Sequence, residues 1–204
     1  MKKYQDIIIG FGKGGKTLAT ALKKAGREVA LIEKSDQMYG GTCINVACIP
    51  SKFLENEARR SSMIGGSFED KARRYKQVIQ EKRELVGKLR DKNYKKLAEA
   101  AGVDVITGTA FFTDPNHIMV ANQDGMTEEL EGDNFYINTG ARPFIPPIKG
   151  IHESNHVYIS ETLMEEERLP KNLVIIGGGY IGVEFASYYS NFGSQVTVIQ
   201  NGKD

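Results

Sequence analysis

The sequence predicts an α/β protein: a doubly wound parallel sheet followed by the start of a second unit of the same kind. The isoleucine-rich run Tyr4–Gly10 is typical of a strand that is buried on both faces of a parallel sheet. A glycine loop, a helical stretch from Lys16 to about Ala25 and a second strand, Glu28–Ile32, follow it. The same order of strand, glycine loop, helix and strand returns between Leu173 and Ile199, so the chain contains an internal repeat.

Size and composition exclude several classes of protein. A chain of 204 residues can bury a sizeable core and indicates one to two domains. A net charge of +1 gives no preference for nucleic acid or for a membrane surface. No apolar run approaches the ~20 residues of a membrane span, and Ile7–Ile9 is too short for a signal peptide. The two cysteines do not make a disulfide scaffold, so we expect a catalytic or redox-sensing pair in a cytoplasmic protein.

The first glycine loop has the spacing of a dinucleotide-binding fingerprint. Gly10, Gly12 and Gly15 directly follow the first strand, and Glu33 ends the second strand. Glycines at these positions let the backbone approach a pyrophosphate at the helix N-terminus, and the acid binds a ribose hydroxyl. The pattern therefore predicts a Rossmann-type dinucleotide site.

The same stretch also satisfies the phosphate-loop pattern G-x4-G-K-T of nucleotide triphosphatases. In that interpretation Lys16 would contact a γ-phosphate and Thr17 would bind magnesium. It explains neither Glu33 nor the cysteines, so we treat Lys16 and Thr17 as surface residues of the first helical turn. A P-loop nucleotide-binding protein stays as a remote alternative.

The second glycine loop repeats the fingerprint with one change. Its predicted nucleotide-binding residues are Gly177, Gly179, Tyr180, Ile181 and Gly182. Gln200 stands 23 residues after the opening glycine, as Glu33 does in the first unit. Loss of the acid weakens the case for NADH and leaves NADPH open.

Both cysteines lie in the segment 40–52, which is predicted to begin a helix that continues to about Ser62. Five regular helical steps would separate the Cα atoms of Cys43 and Cys48 by roughly 8.6 Å, beyond the ~7 Å limit for a disulfide. A disulfide would therefore need an irregular first turn, with Cys43 just ahead of the helix. Pro50 is tolerated because N–H groups in a first turn lack helical partners, and a helix N-terminus stabilises a thiolate.

The segment Gly40–Lys52, GGTCINVACIPSK, resembles the redox-active segment of the flavin-dependent pyridine nucleotide–disulfide oxidoreductases. This family contains dihydrolipoamide dehydrogenase, glutathione reductase and mercuric reductase. The resemblance extends over all 204 residues. Together, the residues 10–17 and Met38–Cys43 are most similar to the bacterial reactive-chlorine-resistance and hypothiocyanous acid reductase branch.

The resemblance implies a relay of electrons from NAD(P)H through FAD to a Cys43–Cys48 disulfide. It gives Cys43 the role of the interchange thiol and places Cys48 against the flavin. It implies that Lys52 lies where hydride arrives and pairs with Glu184 in a segment similar to the family's nicotinamide-facing segment. Further FAD contacts implied by the resemblance are Gly41, Thr42, Lys52, Ala110, Thr139 and Gly140.

The resemblance also implies the partners of the protein. The expected substrate is hypothiocyanous acid or a related oxidant, with dihydrolipoamide dehydrogenase, glutathione-disulfide reductase and mercuric reductase as alternatives. A homodimer is expected, whereas binding to nucleic acid or to a membrane is not expected. A non-catalytic flavin-binding fragment is the alternative from another class.

Several elements connect the two repeats. They are a long helix Phe68–Ala101 with a possible interruption near Gly87, a strand Val103–Ile106, a meander Phe111–Glu131 and a strand Asn134–Asn138. His117, His152 and His156 are interpreted as exposed loop histidines, and no metal site is predicted.

The resulting division is an FAD-binding domain at 1–150, a connector at 151–170 and the start of an NAD(P)H-binding domain at 171–204. The chain is expected to be the N-terminal part of a longer enzyme. Residues 1–204 alone are expected not to turn over, because in the family a histidine of the C-terminal domain serves the interchange thiol.

Overall fold

A computed structural model describes residues 2–202 of the chain. The described residues form two compact units, each assembled from two separate stretches. Unit 1 contains the residues up to Asn45 together with Gly87–Pro143, and unit 2 contains Val46–Val86 together with the residues from Phe144 onward. The predicted division at 150 and 170 concerns function, and it stays a prediction.

Unit 1 is built on a six-stranded sheet with the strand order β3-β2-β1-β6-β5-β4. Its strands are β1 Lys2–Ile9, β2 Val29–Glu33, β3 Asp104–Thr107, β4 Thr109–Asp114, β5 His117–Ala121 and β6 Thr127–Ile137. β1, β2, β3 and β6 are parallel, whereas β4, β5 and β6 form an antiparallel meander at one side. Helix α1, Lys13–Lys24, connects β1 to β2.

The separate strand predicted at Asn134–Asn138 does not exist as such. β6 is one strand of 11 residues that continues from the meander into the parallel part of the sheet. From Leu130 to its end β6 pairs with β1, from Lys2 opposite Leu130 to Ile9 opposite Ile137. A strand that is hydrogen-bonded along this whole edge has no reason to break where the antiparallel pairing with β5 ends.

The parallel strands are buried on both faces, as their apolar composition predicts. Neighbouring residues of β1 enter different clusters, because successive side chains of a strand point to opposite faces. Ile7 packs with Ile32 and Leu130 on one face, whereas Ile8 packs with Leu31 and Ala19 on the other. Full burial of an isoleucine side chain stabilises a fold by about 1.5–3 kcal/mol, so these strands hold unit 1 together.

The helical stretch differs from its prediction in three places. A one-turn helix, α2 (Thr42–Asn45), precedes the longer helix α3 (Cys48–Ile64). Helix α4, Phe68–Lys95, runs through Gly87 without a break, because an interior glycine costs only about 1 kcal/mol relative to alanine. A π-helical turn, Lys96–Ala100, then ends the helical stretch.

Unit 2 contains a two-stranded parallel sheet, β7 (Asn172–Ile176) and β8 (Gln195–Ile199). Helix α6, Tyr180–Phe192, connects these strands, and a short helix α5, Ser160–Leu163, precedes them. Helix α3, the first part of α4 and helix α6 share one apolar core, which includes Leu54, Ile79, Phe185 and Tyr189. The cysteine-bearing helix α3 therefore packs on the helix of the second repeat.

Candidate functional site

The first glycine loop has a backbone that only glycine can form. Gly10 has a φ of +114°, and a Cβ there would overlap the carbonyl oxygen of Asn138. A Cβ on Gly15 would overlap the carbonyl oxygen of Gly10. The first turn of α1 therefore lies directly on the end of β1, as a dinucleotide fingerprint requires.

The second glycine loop repeats this geometry in unit 2. Gly177 has a φ of +107°, and a Cβ on Gly182 would overlap the Gly177 carbonyl oxygen. The helix N-caps are the equivalent residues Gly12, with φ −66° and ψ 179°, and Gly179, with φ −71° and ψ −179°. Neither N-cap offers a side chain to the first-turn N–H groups, which leaves them to bind an anion such as a pyrophosphate.

The residues that end the second strand of each repeat also have equivalent contacts. Glu33 accepts a hydrogen bond of 2.9 Å from the N–H of Phe11, the residue after the first glycine. Gln200 accepts one of 2.6 Å from the N–H of Gly178, at the same position of the second loop. The two sites therefore share one backbone design and differ in charge, with a carboxylate in unit 1 and a neutral amide in unit 2.

The residues of unit 1 fit FAD. The uncapped helix N-terminus at Gly12 suits a pyrophosphate, and the Glu33 carboxylate suits a ribose hydroxyl. The cysteine segment also begins at this place. Gly41 has a φ of +79°, and a Cβ there would overlap the Cα of Gly12. This close approach brings the backbone of Gly41 and the start of α2 at Thr42 onto the glycine loop.

The cysteines lie at the two sides of a break between helices. Cys43 is in α2, and Cys48 is the first residue of α3; both are exposed. Ala47 has φ −140° and ψ −102°, so no regular helix contains both cysteines. Pro50 lies in the first turn of α3, as the sequence predicts. At this position a proline removes no helical hydrogen bond. The Cys43–Cys48 disulfide stays a prediction.

Asn45 fixes α2 within unit 1. Its side-chain Nδ2 donates hydrogen bonds to the carbonyl oxygens of Gly41, at 2.9 Å, and Tyr39, at 3.1 Å. Its Oδ1 accepts a hydrogen bond of 2.9 Å from Nε of Arg90. Sequence reasoning missed this buried residue, because nothing in the sequence around Asn45 indicates a partner on a helix 45 residues away.

In unit 2 the structure brings Lys52 and Glu184 together. The Lys52 Nζ lies 2.9 Å from Oε1 of Glu184 and 2.8 Å from Oε2 of Glu55. The buried Ser51 donates a hydrogen bond of 3.1 Å to the same Glu184 oxygen. The hydrogen bond to Glu55, which has the larger effect, and the hydrogen bond to Glu184 both raise the pKa of Lys52 above its ordinary value. The role of the pair in hydride transfer stays a prediction.

The remaining predicted cofactor residues lie near the ends of strands and helices. Ala110 is on β4, where it pairs with Val120. Thr139 and Gly140 are exposed residues beyond the end of β6. In unit 2, Tyr180 and Ile181 form the exposed first turn of α6. The contacts of these residues with FAD or NAD(P)H stay predictions.

The prediction for Lys16 is confirmed for its place in the first helical turn, but the residue is only partly exposed. Helix α1 begins at Lys13, which places Lys16 in the first turn, half-buried. Its Nζ donates a hydrogen bond of 2.6 Å to Oδ1 of Asn93. Burial is the largest of the effects that lower the pKa of Lys16. Thr17 is exposed, as expected, and its hydroxyl donates to the Lys13 carbonyl oxygen.

The histidines form no metal centre in the part of the chain that the structure describes. Across residues 2–202 no group of three or more His, Cys, Asp or Glu side chains could hold a metal ion. His117 is the first residue of β5 and not a loop residue, and its Nδ1 lies 2.9 Å from the Asp114 carboxylate. His152 and His156 are exposed. None of the described helices is long and apolar enough to cross a membrane.

Comparison with known proteins agrees with this geometry. The family model described as pyridine nucleotide-disulphide oxidoreductase matches residues 4–204. The chain is 48% identical to the probable pyridine nucleotide-disulfide oxidoreductase RclA of Escherichia coli. The matched region covers 98% of this chain and 43% of that protein. It is 38% identical to the mercuric reductase of Streptomyces lividans, over 96% of this chain and 42% of that protein.

A solved structure shows the same fold. The Cu(II) complex of the HOCl-induced flavoprotein disulfide reductase RclA from Escherichia coli matches with a TM-score of 0.88 and 48% identity, over 98% of this chain and 43% of that one. The chain therefore spans less than half the length of these two relatives and of this solved chain.

These matches decide between the two interpretations of the first glycine loop. The P-loop alternative is wrong, because the third glycine packs on the first, Glu33 closes the loop, and the family model covers both repeats. The family is FAD-dependent and uses a pyridine nucleotide. The two equivalent loops, the cysteine segment and the match over residues 4–204 show that the chain belongs to the pyridine nucleotide-disulphide oxidoreductase family.

Proposed function

We propose that the protein is an FAD-dependent NAD(P)H oxidoreductase that relays electrons through a Cys43–Cys48 disulfide to an oxidised small molecule. The observation that carries the proposal is the repeated loop geometry, with the cysteine segment lying on the first loop at Gly41. One chain with two dinucleotide sites and a dithiol suits electron exchange between two dinucleotides and a thiol acceptor.

Each group of residues has a separate task in this relay. Bound FAD would supply the hydride chemistry between NAD(P)H and the disulfide. Gly10, Gly12 and Gly15 bind the pyrophosphate of FAD with backbone N–H groups, and Glu33 binds its ribose. The second loop, Gly177–Gly182, binds NAD(P)H in the same way. Lys52 and Glu184 orient the nicotinamide through their ion pair.

The proposed thiol chemistry balances with hypothiocyanous acid as the oxidant. The Cys43 thiolate attacks the oxidant's sulfur, forming a sulfenyl thiocyanate and releasing hydroxide. The Cys48 thiol then attacks the Cys43 sulfur, and thiocyanate and a proton leave as the disulfide forms. The sum is one thiolate, one thiol and one hypothiocyanous acid converted to one disulfide, thiocyanate and water.

The choice of oxidant rests on similarity to the RclA branch, whose solved structure is named as HOCl-induced. Lipoamide, glutathione disulfide and mercuric ion are the alternative acceptors. We propose NADPH as the preferred donor, because Gln200 offers no carboxylate that would repel a 2′-phosphate. The FAD site at 1–150, a homodimeric working unit and a cytoplasmic location belong to the same proposal.

The test uses the product of the complete gene, purified with its flavin. Oxidation of NADPH and of NADH is measured with hypothiocyanous acid, lipoamide, glutathione disulfide and mercuric ion as acceptors. We expect the highest kcat/KM with NADPH and hypothiocyanous acid, and its loss in Cys43→Ser. A yellow protein that oxidises NAD(P)H with none of these acceptors would support the alternative of a non-catalytic flavin-binding protein.

A further inference from the structure

We propose that Lys16 is a positioning residue that holds the Cys43 sulfur as a thiolate, and that Asn93 fixes Lys16 for this task. The inference rests on the proposed function, in which Cys43 is the thiol that attacks the oxidant. It also gives a role to the lysine of the phosphate-loop pattern, which dinucleotide binding leaves unexplained.

The position of Lys16 is fixed by hydrogen bonds at both ends of the residue. Its backbone N–H donates to the Gly12 carbonyl oxygen at 3.0 Å, within the first turn of α1. Its Nζ donates to Oδ1 of Asn93 at 2.6 Å. The Asn93 Nδ2 in turn donates to the Leu89 carbonyl oxygen at 2.7 Å, so the amide oxygen is directed at the lysine. These hydrogen bonds therefore hold the Lys16 side chain in one orientation.

The cysteine segment packs on the same two elements. At Gly41 the backbone approaches Gly12 so closely that a Cβ would overlap its Cα. At Gly40 a Cβ would lie 3.3 Å from Cγ of Asn93. Because α2 begins at Thr42, this packing places the helical turn that contains Cys43 beside the glycine loop and Asn93, the two elements that hold Lys16.

Lys16 and Cys43 are coupled electrostatically. Burial and the positive charges of Lys13 and Lys96 lower the pKa of Lys16, whereas the charge of Cys43 raises it. Electrostatic coupling is mutual, so an ammonium stabilised by a thiolate stabilises that thiolate in return.

This coupling has a direct chemical use. The thiolate is the nucleophile in exchange reactions, and a neighbouring lysine lowers the pH at which a cysteine ionises. A half-buried ammonium is screened by water less than an exposed one. The arrangement therefore keeps an exposed thiol reactive near neutral pH.

The experiment follows the alkylation of Cys43 in the reduced, flavin-loaded product of the complete gene. Iodoacetamide pulses are applied from about pH 5 to pH 9, and the peptide containing Cys43 is quantified by mass spectrometry. Lys16→Met is compared with Lys16→Arg, which keeps the charge, and with Lys24→Met, which removes one from the exposed last turn of the same helix. Bound flavin is measured in every variant.

We expect Lys16→Met to move the midpoint of the alkylation profile upward and to slow alkylation at pH 7 by about threefold to tenfold. Lys16→Arg should restore most of the rate, and Lys24→Met should behave like the parent protein. A parent midpoint at the ordinary thiol value of about 8.5 would contradict the proposal. So would a Lys16→Met protein that loses flavin but keeps the parent profile, since Lys16 would then serve the cofactor.

Asn93→Asp provides a second test if Lys16→Met does not fold. The new carboxylate would neutralise Lys16 in place, so the midpoint should again move upward; an unchanged or lower midpoint would contradict the proposal. The alkylation profile is read without turnover. A failure of the proposed function, seen as absent NAD(P)H oxidation, is therefore distinguishable from a failure of this inference.

Discussion

The Nζ of Lys52 lies 2.9 Å from Oε1 of Glu184, so α3 of the cysteine segment and α6 of the second repeat are joined by an ion pair. The same ammonium also pairs with Glu55 on its own helix. Two carboxylates thus share one lysine. Of the two, only Glu184 lies within residues 171–204, the proposed start of the NAD(P)H-binding domain.

Glu184→Gln should slow the reduction of flavin by NAD(P)H by at least about tenfold, because the neutral amide no longer holds Lys52 toward α6. Stopped-flow absorbance of the flavin measures this rate. Glu55→Gln removes the same charge from the other partner of Lys52 and should leave the rate near that of the parent. Equal rates in the two variants would show that the Lys52–Glu184 pair is a surface contact without a role in flavin reduction.

The pH dependence of the same rate has a defined sign. The carboxylates of Glu55 and Glu184 raise the pKa of Lys52 above its ordinary 10.5. The contribution of the ion pair is therefore fully present below that pH and is lost only as the pH rises through the raised pKa. We expect no alkaline loss of rate from Lys52 between about pH 7 and pH 10.

Gly41→Ala should abolish FAD binding, whereas Gly125→Ala should not. Both glycines have nearly the same backbone, with φ +79° and +77°, so the left-handed conformation costs each alanine about 1–2 kcal/mol. Gly125 has no atom within 4 Å of the added Cβ, but Gly41 meets the backbone of Gly12. Flavin content and thermal unfolding distinguish the two; equal losses would show that close packing at Gly41 is not what shapes the site.

Gln200→Glu should shift the donor preference toward NADH. The carboxylate would accept hydrogen bonds from the ribose and repel a 2′-phosphate, as expected for an acid at this position. We expect the ratio of kcat/KM for NADPH to that for NADH to fall by about tenfold or more. Gln195→Glu, on an exposed residue at the start of the same strand, adds the same charge and should leave the ratio unchanged.

Glu165→Gln should destabilise the protein more than Lys82→Met. Lys82 is fully buried and is satisfied by the Met164 carbonyl oxygen, at 2.6 Å, and by the Glu165 carboxylate. Loss of that carboxylate leaves a buried ammonium without its counter-charge, at a cost of about 1–3 kcal/mol. In Lys82→Met, Glu165 keeps its contact with Nε of Arg83 at 2.8 Å. Chemical unfolding curves should show this order, and the reverse order would contradict it.

The sequence predicted those parts of the fold that local patterns determine. The second repeat was predicted between Leu173 and Ile199, and its last strand, Gln195–Ile199, ends at the predicted residue, because a glycine loop and apolar periodicity mark the repeat. The structure buries Lys82 fully and Lys16 partly, and neither was predicted. Lys16 and Lys82 look like surface residues in the sequence, and their burial depends on Asn93 and Glu165, which lie 77 and 83 residues further along the chain. The dinucleotide loops could thus be found from the sequence, but the polar contacts that surround the cysteine segment could not.

The most direct test of the relay is an anaerobic titration of the flavin-loaded protein with NADPH, followed by absorbance. If electrons pass from FAD to a Cys43–Cys48 disulfide, full reduction of the parent consumes about two equivalents per flavin, one for the disulfide and one for the flavin. Cys43→Ser and Cys48→Ser should each consume about one. Only Cys43→Ser should keep a long-wavelength thiolate-to-flavin band, since we propose that Cys48 is the thiol that lies against the flavin. A parent protein that is fully reduced by one equivalent, like both variants, would contradict the redox role of the cysteines.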